Sequence, residues 1–239
     1  MKIMKIIAHR GASTYAPENT LAAFQKALDQ QANGIEVDVR LTKDNVPVIC
    51  HDATVNRTSN GKGYIHNMTV SQLKKLDFGA SFSNKYKGEM IPTLEETLTL
   101  IGDASITLHI EIKNGPIIPK YLEQKIVELV YKYGFEDRVV YSSFDHHSLQ
   151  RLSEIDPRAK IGLLFHINLI HLFEYIENTG LRVHSIHPNH FYVTEEMIEG
   201  AHKRNIEVNI YTVNNKAMAL SYQQMGIDGL ISNNPLILI

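Results

Sequence analysis

Only one cysteine, Cys50, occurs in the 239 residues, so no intrachain disulfide can form and nothing in the composition calls for an oxidising compartment. An excess of one charge sign is missing too. Lys and Arg number 24 against 26 Asp and Glu, a net charge of -2, which removes the bulk electrostatic case for nucleic acid or an anionic membrane as partner. No apolar run approaches the roughly 20 residues that a bilayer span requires. The apolar stretch flanked by Lys2 and Lys5 ends by Ala8, too short for the core of a signal peptide. The expectation is a cytoplasmic protein without a stable membrane anchor, acting on a small molecule, with its oligomeric state open. The Gly-rich turn of dinucleotide-binding folds is absent as well, since Ala8 is followed by His9-Arg10-Gly11-Ala12-Ser13.

What is present is ordinary in bulk and concentrated in detail. A hydrophobic share of 44% with 21% charged residues suits one large core, and we expect a single domain over 1–239. Polar chemistry gathers in the first half, in Ile7-Ala8-His9-Arg10-Gly11, Pro17-Glu18-Asn19-Thr20, Glu36-Val37-Asp38 and Cys50-His51-Asp52. Residues two apart in a strand share a face, so Glu36 and Asp38 point the same way while Ile35, Val37 and Val39 point the other. Adjacent carboxylates on a face that becomes buried repel and lose hydration, and a hard cation relieves both costs. In His109-Ile110-Glu111-Ile112-Lys113 the same alternation puts Glu111 beside His109 and Lys113, which makes Glu111 a third oxygen ligand and Lys113 a phosphate partner. A single strand with alternating acids more often marks a solvated outer face. Three strands with the pattern, one opening on His-Arg and one leading to His-Asp, favour a site.

The turn formers Asp44 and Asn45 predict that the chain doubles back after the second strand, in a register that sets Asp38 opposite His51. Cys50 points away from His51 in such a strand, which argues against a Cys-His nucleophile. Strands are predicted at Ile3 to Ala8, Ile35 to Arg40, Ile106 to Ile112, Val139 to Ser142, Ile161 to Leu164, His184 to His187, Val208 to Tyr211 and Gly229 to Ser232. Helices are predicted after Asn19 or Thr20, near Thr93 to Ile101, and over Pro119 to Tyr133, Asp145 to Glu154, Asn168 to Glu177, Glu195 to Lys203 and Asn215 to Met225. Eight alternating units give an α/β fold, a (βα)8 TIM barrel, with an insertion at about 53–90 between the second strand and second helix. Barrel sites lie at the carboxyl ends of the strands, where His9, Arg10, Glu36, Asp38, Glu111 and Lys113 fall.

With these motifs in this order, the chain resembles the glycerophosphodiester phosphodiesterase family nearly end to end. The family runs His-Arg-Gly, Pro-Glu-Asn-Thr, Glu-x-Asp, His-Asp and Glu-x-Lys, here His9 to Gly11, Pro17 to Thr20, Glu36 with Asp38, His51 with Asp52, and Glu111 with Lys113. The resemblance implies metal-dependent hydrolysis of glycerophosphodiesters to glycerol 3-phosphate and an alcohol. One divalent cation, Mg2+ or Ca2+, would sit on Glu36, Asp38 and Glu111. His9 and His51 would be acid and base, Arg10 and Lys113 would hold the phosphate, and Glu18, Asn19, Asp52 and Tyr211 would support them. Which histidine plays which part, whether water or a neighbouring glycerol hydroxyl attacks, and which alcohol leaves stay open. Relatives commonly carry Trp where Tyr211 stands, and often Asp at Asn56 or Asn233. Two rivals remain, a lysophospholipase D-like enzyme on the same barrel and a noncatalytic glycerophosphate-binding module. An apolar lip among Tyr64, Met68, Phe78, Phe82 and Tyr86 would favour the lipid enzyme, whereas their burial as the insertion's own core would not.

Overall fold

A computed structural model describes residues 3–239. Lys2, one flank of the first apolar run, lies outside them. The first strand, β1 (Lys5–His9), ends on His9 and leads through a loop into α1 (Leu21–Asp29). Thr20 accepts a hydrogen bond from the Ala23 amide and so caps α1, while Ala23, Phe24 and Ala27 supply its buried face. β2 (Gly34–Leu41) and β3 (Pro47–Ile49) form the antiparallel excursion. The insertion follows and contains a short helix, α2 (Val70–Leu73). The regular alternation resumes with α3 (Leu94–Ile101), β4 (Thr107–Ile112), α4 (Leu122–Lys132), β5 (Val139–Ser143) and α5 (His146–Ile155). It continues through β6 (Lys160–Phe165), α6 (Leu172–Thr179), β7 (Val183–Pro188), α7 (Glu195–His202), β8 (Glu207–Ile210), α8 (Lys216–Met225) and β9 (Gly229–Ser232).

The strand order β1-β9-β8-β7-β6-β5-β4-β2, closed by a β1–β2 pairing, is a parallel eight-stranded TIM barrel, with β3 added antiparallel to β2. Parallel barrel strands are covered on both faces. On β2, accordingly, Ile35, Val37 and Val39 are buried in the main core, and Glu36 and Asp38 are buried as well. Register then brings the polar residues together, since β1 sets His9 against Glu36, and β4 sets His109 against Glu36 and Glu111 against Asp38.

The excursion departs from the predicted register by one residue. Val39 pairs with Ile49 and Arg40 with Val48, and the Cys50 amide donates to the Asp38 carbonyl at 2.8 Å, so Cys50 rather than His51 stands opposite Asp38. His51 still reaches the site because β3 ends at Ile49, and beyond it strand alternation no longer dictates direction. The Arg40 guanidinium donates twice to the His51 carbonyl, at 3.0 and 2.7 Å, and fixes the bend. Cys50 is buried with Val48, Val55, Ile65, Leu73, Phe78 and Ile91 in a second core that anchors the insertion. Burial pushes its thiol up to about 12, far from the thiolate a nucleophile needs. Phe78 belongs to that small core and Met68 packs against it, whereas Tyr64 and Phe82 are exposed.

Candidate active site

Each motif has a local mechanical reason. After His9 the chain turns sharply, with Arg10 and Gly11 in the left-handed region (φ 57 and 79). A side chain at Gly11 would sit 2.7 Å from the Ala23 backbone, so only glycine lets the turn pack on α1. The turn points the Arg10 amide at Glu36 Oε2, 3.0 Å away. Within Pro17-Glu18-Asn19-Thr20, Thr20 caps α1, the Asn19 amide donates to Asp38 Oδ2 at 2.8 Å, and Glu18 Oε1 accepts from Arg10 Nη1 at 2.8 Å. Arg10 Nε also lies 3.2 Å from Asp38 Oδ2. Lys113, just past β4, places Nζ 2.6 Å from Glu111 Oε1 and 3.5 Å from Asp38 Oδ1.

Glu36, Asp38 and Glu111 offer oxygens that all lie within 4.8 Å of one another, and all three are buried. Among the described residues Glu36 Oε1 and Asp38 Oδ1 are buried with no hydrogen-bond partner. Buried carboxylates gathered this closely, with Glu36 Oε1 lacking a partner and Asp38 Oδ1 meeting only Lys113 Nζ at 3.5 Å, are the donor set a hard cation takes. Titration reflects the same crowding. Burial, then Asp38 and Glu111, push the Glu36 carboxyl well up. Burial and Asp38 raise Glu111 to about 7. Burial alone would raise Asp38 too, but Lys113 and Arg10 outweigh it and hold that carboxyl far down. Once all three acids are ionised, as a bound cation favours, they leave one negative charge against Arg10 and Lys113. A divalent cation would turn it to one positive, which a singly charged phosphate diester matches.

The two histidines open onto the same cavity of about 200 Å³, together with Arg10, Glu36, Glu111, Ser142, Phe144, Leu164, His187 and Tyr211. His9 Nδ1 is 2.7 Å from Asn233 Oδ1, and His51 Nδ1 is 2.7 Å from Asp52 Oδ1. Burial, helped by Arg10, lowers His9 to about 4. Burial also lowers His51, although the Asp38 charge opposes it. Tyr211 donates its hydroxyl to the Phe165 carbonyl at 3.1 Å and stands edge-on to Phe144, so its ring remains as an aromatic wall. Asn56 accepts from the Gly63 amide in the insertion, away from the cavity.

Two side chains named from the sequence without a role at the site, Asn233 as a departure from relatives and His187 as a surface or core histidine, stand at the site, and a third, Arg57, is new. Asn233 fixes His9, which its place just after the last strand could have suggested. His187, fully buried, lines the cavity and is held at Nε2 by Ser185 Oγ at 2.9 Å; its place at the carboxyl end of β7 was the available signal. Arg57 binds both Asp52 and Glu18, and nothing in a one-dimensional motif pairs a residue of the insertion with two acids 5 and 39 positions away. A larger open groove of about 510 Å³ runs past His146 and Tyr175. Both His146 ring nitrogens are engaged there, by Tyr175 Oη at 2.6 Å and the Leu164 carbonyl at 2.9 Å, so that ring offers no free ligand atom.

Residues 9–237 match the glycerophosphoryl diester phosphodiesterase family. A glycerophosphodiester phosphodiesterase of Caldanaerobacter subterraneus subsp. tengcongensis is 41% identical over 234 residues, covering 98% of this chain and 96% of that protein. One from Bacillus altitudinis is 35% identical, covering 97% and 95%. A phosphodiesterase of Oleispira antarctica, solved in complex with the product sn-glycerol-3-phosphate, superposes with a TM-score of 0.89 at 29% identity, over 97% of this chain and 93% of that one. The barrel agrees with that of the solved neighbour, and the chain belongs to the glycerophosphoryl diester phosphodiesterase family.

Proposed function

We propose that this chain hydrolyses glycerophosphodiesters to glycerol 3-phosphate and an alcohol, holding one divalent cation, Mg2+ or Ca2+, on Glu36, Asp38 and Glu111. The observation that carries the reading is the buried cluster of three acids, in which Glu36 Oε1 and Asp38 Oδ1 accept no hydrogen bond, and whose Glu36 and Glu111 share one cavity with His9 and His51. The cation, when bound, supplies Lewis acidity and charge neutralisation at a nonbridging phosphate oxygen. Arg10 and Lys113 bring fixed positive charge to the same phosphate and share the charge that develops as the reaction proceeds.

One histidine takes the proton of the attacking oxygen as that oxygen bonds to phosphorus. The other delivers a proton to the ester oxygen as the bond from phosphorus to the leaving alcohol breaks. Both rings are held low by burial, so both are ready as bases near neutral pH, and an arriving phosphate anion raises the one that must serve as acid. Asn233 and Asp52 occupy the two Nδ1 atoms, which leaves each Nε2 for the reaction. The product named for the Oleispira antarctica neighbour supports recognition through the glycerophosphate half.

One feature favours the lipid variant of the reaction. The loops after β4, β6 and β7, on the face where the cavity opens, expose Ile118, Ile170 and Phe191 at 62%, 83% and 77%. The deciding experiment incubates the protein with glycerophosphocholine and, separately, lysophosphatidylcholine, after chelation and after return of Mg2+ or Ca2+. Metal-restored release of glycerol 3-phosphate is expected. Turnover indifferent to chelation would remove the cation from the reading, cleavage of the lysolipid alone would move the substrate to lipid, and silence on both would leave a binding module.

A further inference from the structure

Arg57 is the residue through which the insertion reaches the site. Its Nε and Nη2 lie 2.8 and 3.0 Å from Asp52 Oδ2 and Oδ1, and its Nη1 and Nη2 lie 2.7 and 2.8 Å from Glu18 Oε2 and Oε1. Both acids therefore receive a two-pronged grip from one planar guanidinium, and Nη2 touches both. Each acid also has a second partner. Asp52 Oδ1 meets His51 Nδ1 at 2.7 Å, and Glu18 Oε1 meets Arg10 Nη1 at 2.8 Å. Arg57 does not line the catalytic cavity; with Glu18, Thr58, Phe78 and Ser81 it borders a separate cleft of about 180 Å³.

We propose that Arg57 is a positioning residue for the phosphodiester reaction, fixing the proton carrier His51 through Asp52 and the phosphate-binding Arg10 through Glu18. The proposal rests on the reaction argued above. A bidentate network of this kind also stabilises the fold even with the Arg57 side chain 48% exposed, so the positioning role is tested by readouts that stability alone does not move. What distinguishes this pair of contacts is what they hold. An ionised Asp52 accepts only, so it keeps the His51 proton on Nδ1 and Nε2 bare. Without Arg57, Asp52 loses its cation and Glu18 keeps only Arg10, so the two acids are no longer held together and His51 and Arg10 lose the common point that fixes them. Lysine cannot replace this grip, because one ammonium is a point charge and cannot span two carboxylates bidentately.

The test uses the metal-loaded full chain with glycerophosphocholine, in wild type, Arg57→Ala, Arg57→Lys, Asp52→Ala and the double variant Arg57→Ala/Asp52→Ala. In Arg57→Ala we expect kcat to fall about 10- to 100-fold, the usual effect of removing a group that orients a functional side chain, and Arg57→Lys to recover only part of it. In the Asp52→Ala background the same Arg57→Ala change should cost much less, because the path through His51 is already cut. A second readout is independent of turnover: 15N chemical shifts of His51 should report the Nδ1–H tautomer in wild type and a tautomer mixture in Arg57→Ala. Wild-type kcat in Arg57→Ala, full additivity with Asp52→Ala, or an unchanged tautomer population would each overturn the proposal. A wild type with no turnover but a tautomer that depends on Arg57 would sink the reaction and keep the positioning role.

Discussion

His9 and His51 are held by different partners, an amide at Asn233 and a carboxylate at Asp52, and that difference sets what each variant should lose. His9→Ala and His51→Ala should each lower kcat by about 10²- to 10⁴-fold, the range for one general acid or base, with melting temperature little changed because both side chains border a cavity. Glu36→Ala should instead weaken metal affinity, seen as a higher Mg2+ or Ca2+ concentration at half-maximal activity. Near-wild-type turnover in either histidine variant would refute the assigned proton carriers. His9 and Glu36 were legible in the sequence because they sit at a strand end or on a strand, where period-two alternation decides direction, whereas His51 stands in a legible motif but reaches the cavity through a bend past β3 that alternation does not dictate. The Asn233–His9 and Arg57–Glu18 contacts were not legible, because these partners are 224 and 39 positions apart and only folding brings them within hydrogen-bond reach.

Among the elements, the barrel was legible because apolar runs and helical periods alternate without interruption from β4 to β9. The hairpin register was not. A turn around Asp44 and Asn45 fits two registers that differ by one residue, and the chain uses the one that buries Cys50 in the insertion's core while Arg40 pins the His51 carbonyl. Element packing also leaves a test inside the barrel. A side chain at Gly229 on β9 would meet Asn209 Oδ1 at 2.2 Å and Ile7 Cδ1 at 3.1 Å. Asn209 is itself buried, at 1% exposure, and cannot swing out to water. Gly229→Ala should therefore destabilise by about 1–3 kcal/mol, the usual cost of overpacking, measured as a lower urea midpoint. Adding Asn209→Ala should recover part of that loss, since the two changes share one contact. An unchanged midpoint in the single variant would mean that the layer has slack the packing does not show.

The whole molecule should feel the acid cluster through its dependence on pH and metal. Burial and Asp38 raise the Glu111 carboxyl from its ordinary 4.5 to about 7, and burial shifts Glu36 in the same direction. A raised carboxyl binds its proton more tightly in the folded chain than in the unfolded one. Its contribution to stability is therefore complete below about 4.5 and is lost as pH rises through about 7. Asp38 acts oppositely, since its lowered carboxyl contributes above its ordinary 3.8 and fails only in strong acid, outside this window. Buried histidines held low, such as His9 and His187, also oppose the raised acids, since their contribution is present above about 6.5 and is lost as pH falls. The fall due to the acids is therefore read by difference: in chelator, from about pH 5.5 to about pH 8, wild type should lose stability relative to Glu111→Gln by an amount corresponding to at most a few kcal/mol. A bound divalent cation favours the ionised carboxylates, so with Mg2+ or Ca2+ the fall should shrink or reverse, and binding near pH 7 should release protons. Titration calorimetry in two buffers of different ionisation enthalpy would count those protons. A pH dependence in chelator identical in wild type and Glu111→Gln, or a binding enthalpy independent of buffer, would mean that the three acids do not share the crowded, proton-retaining site their burial implies.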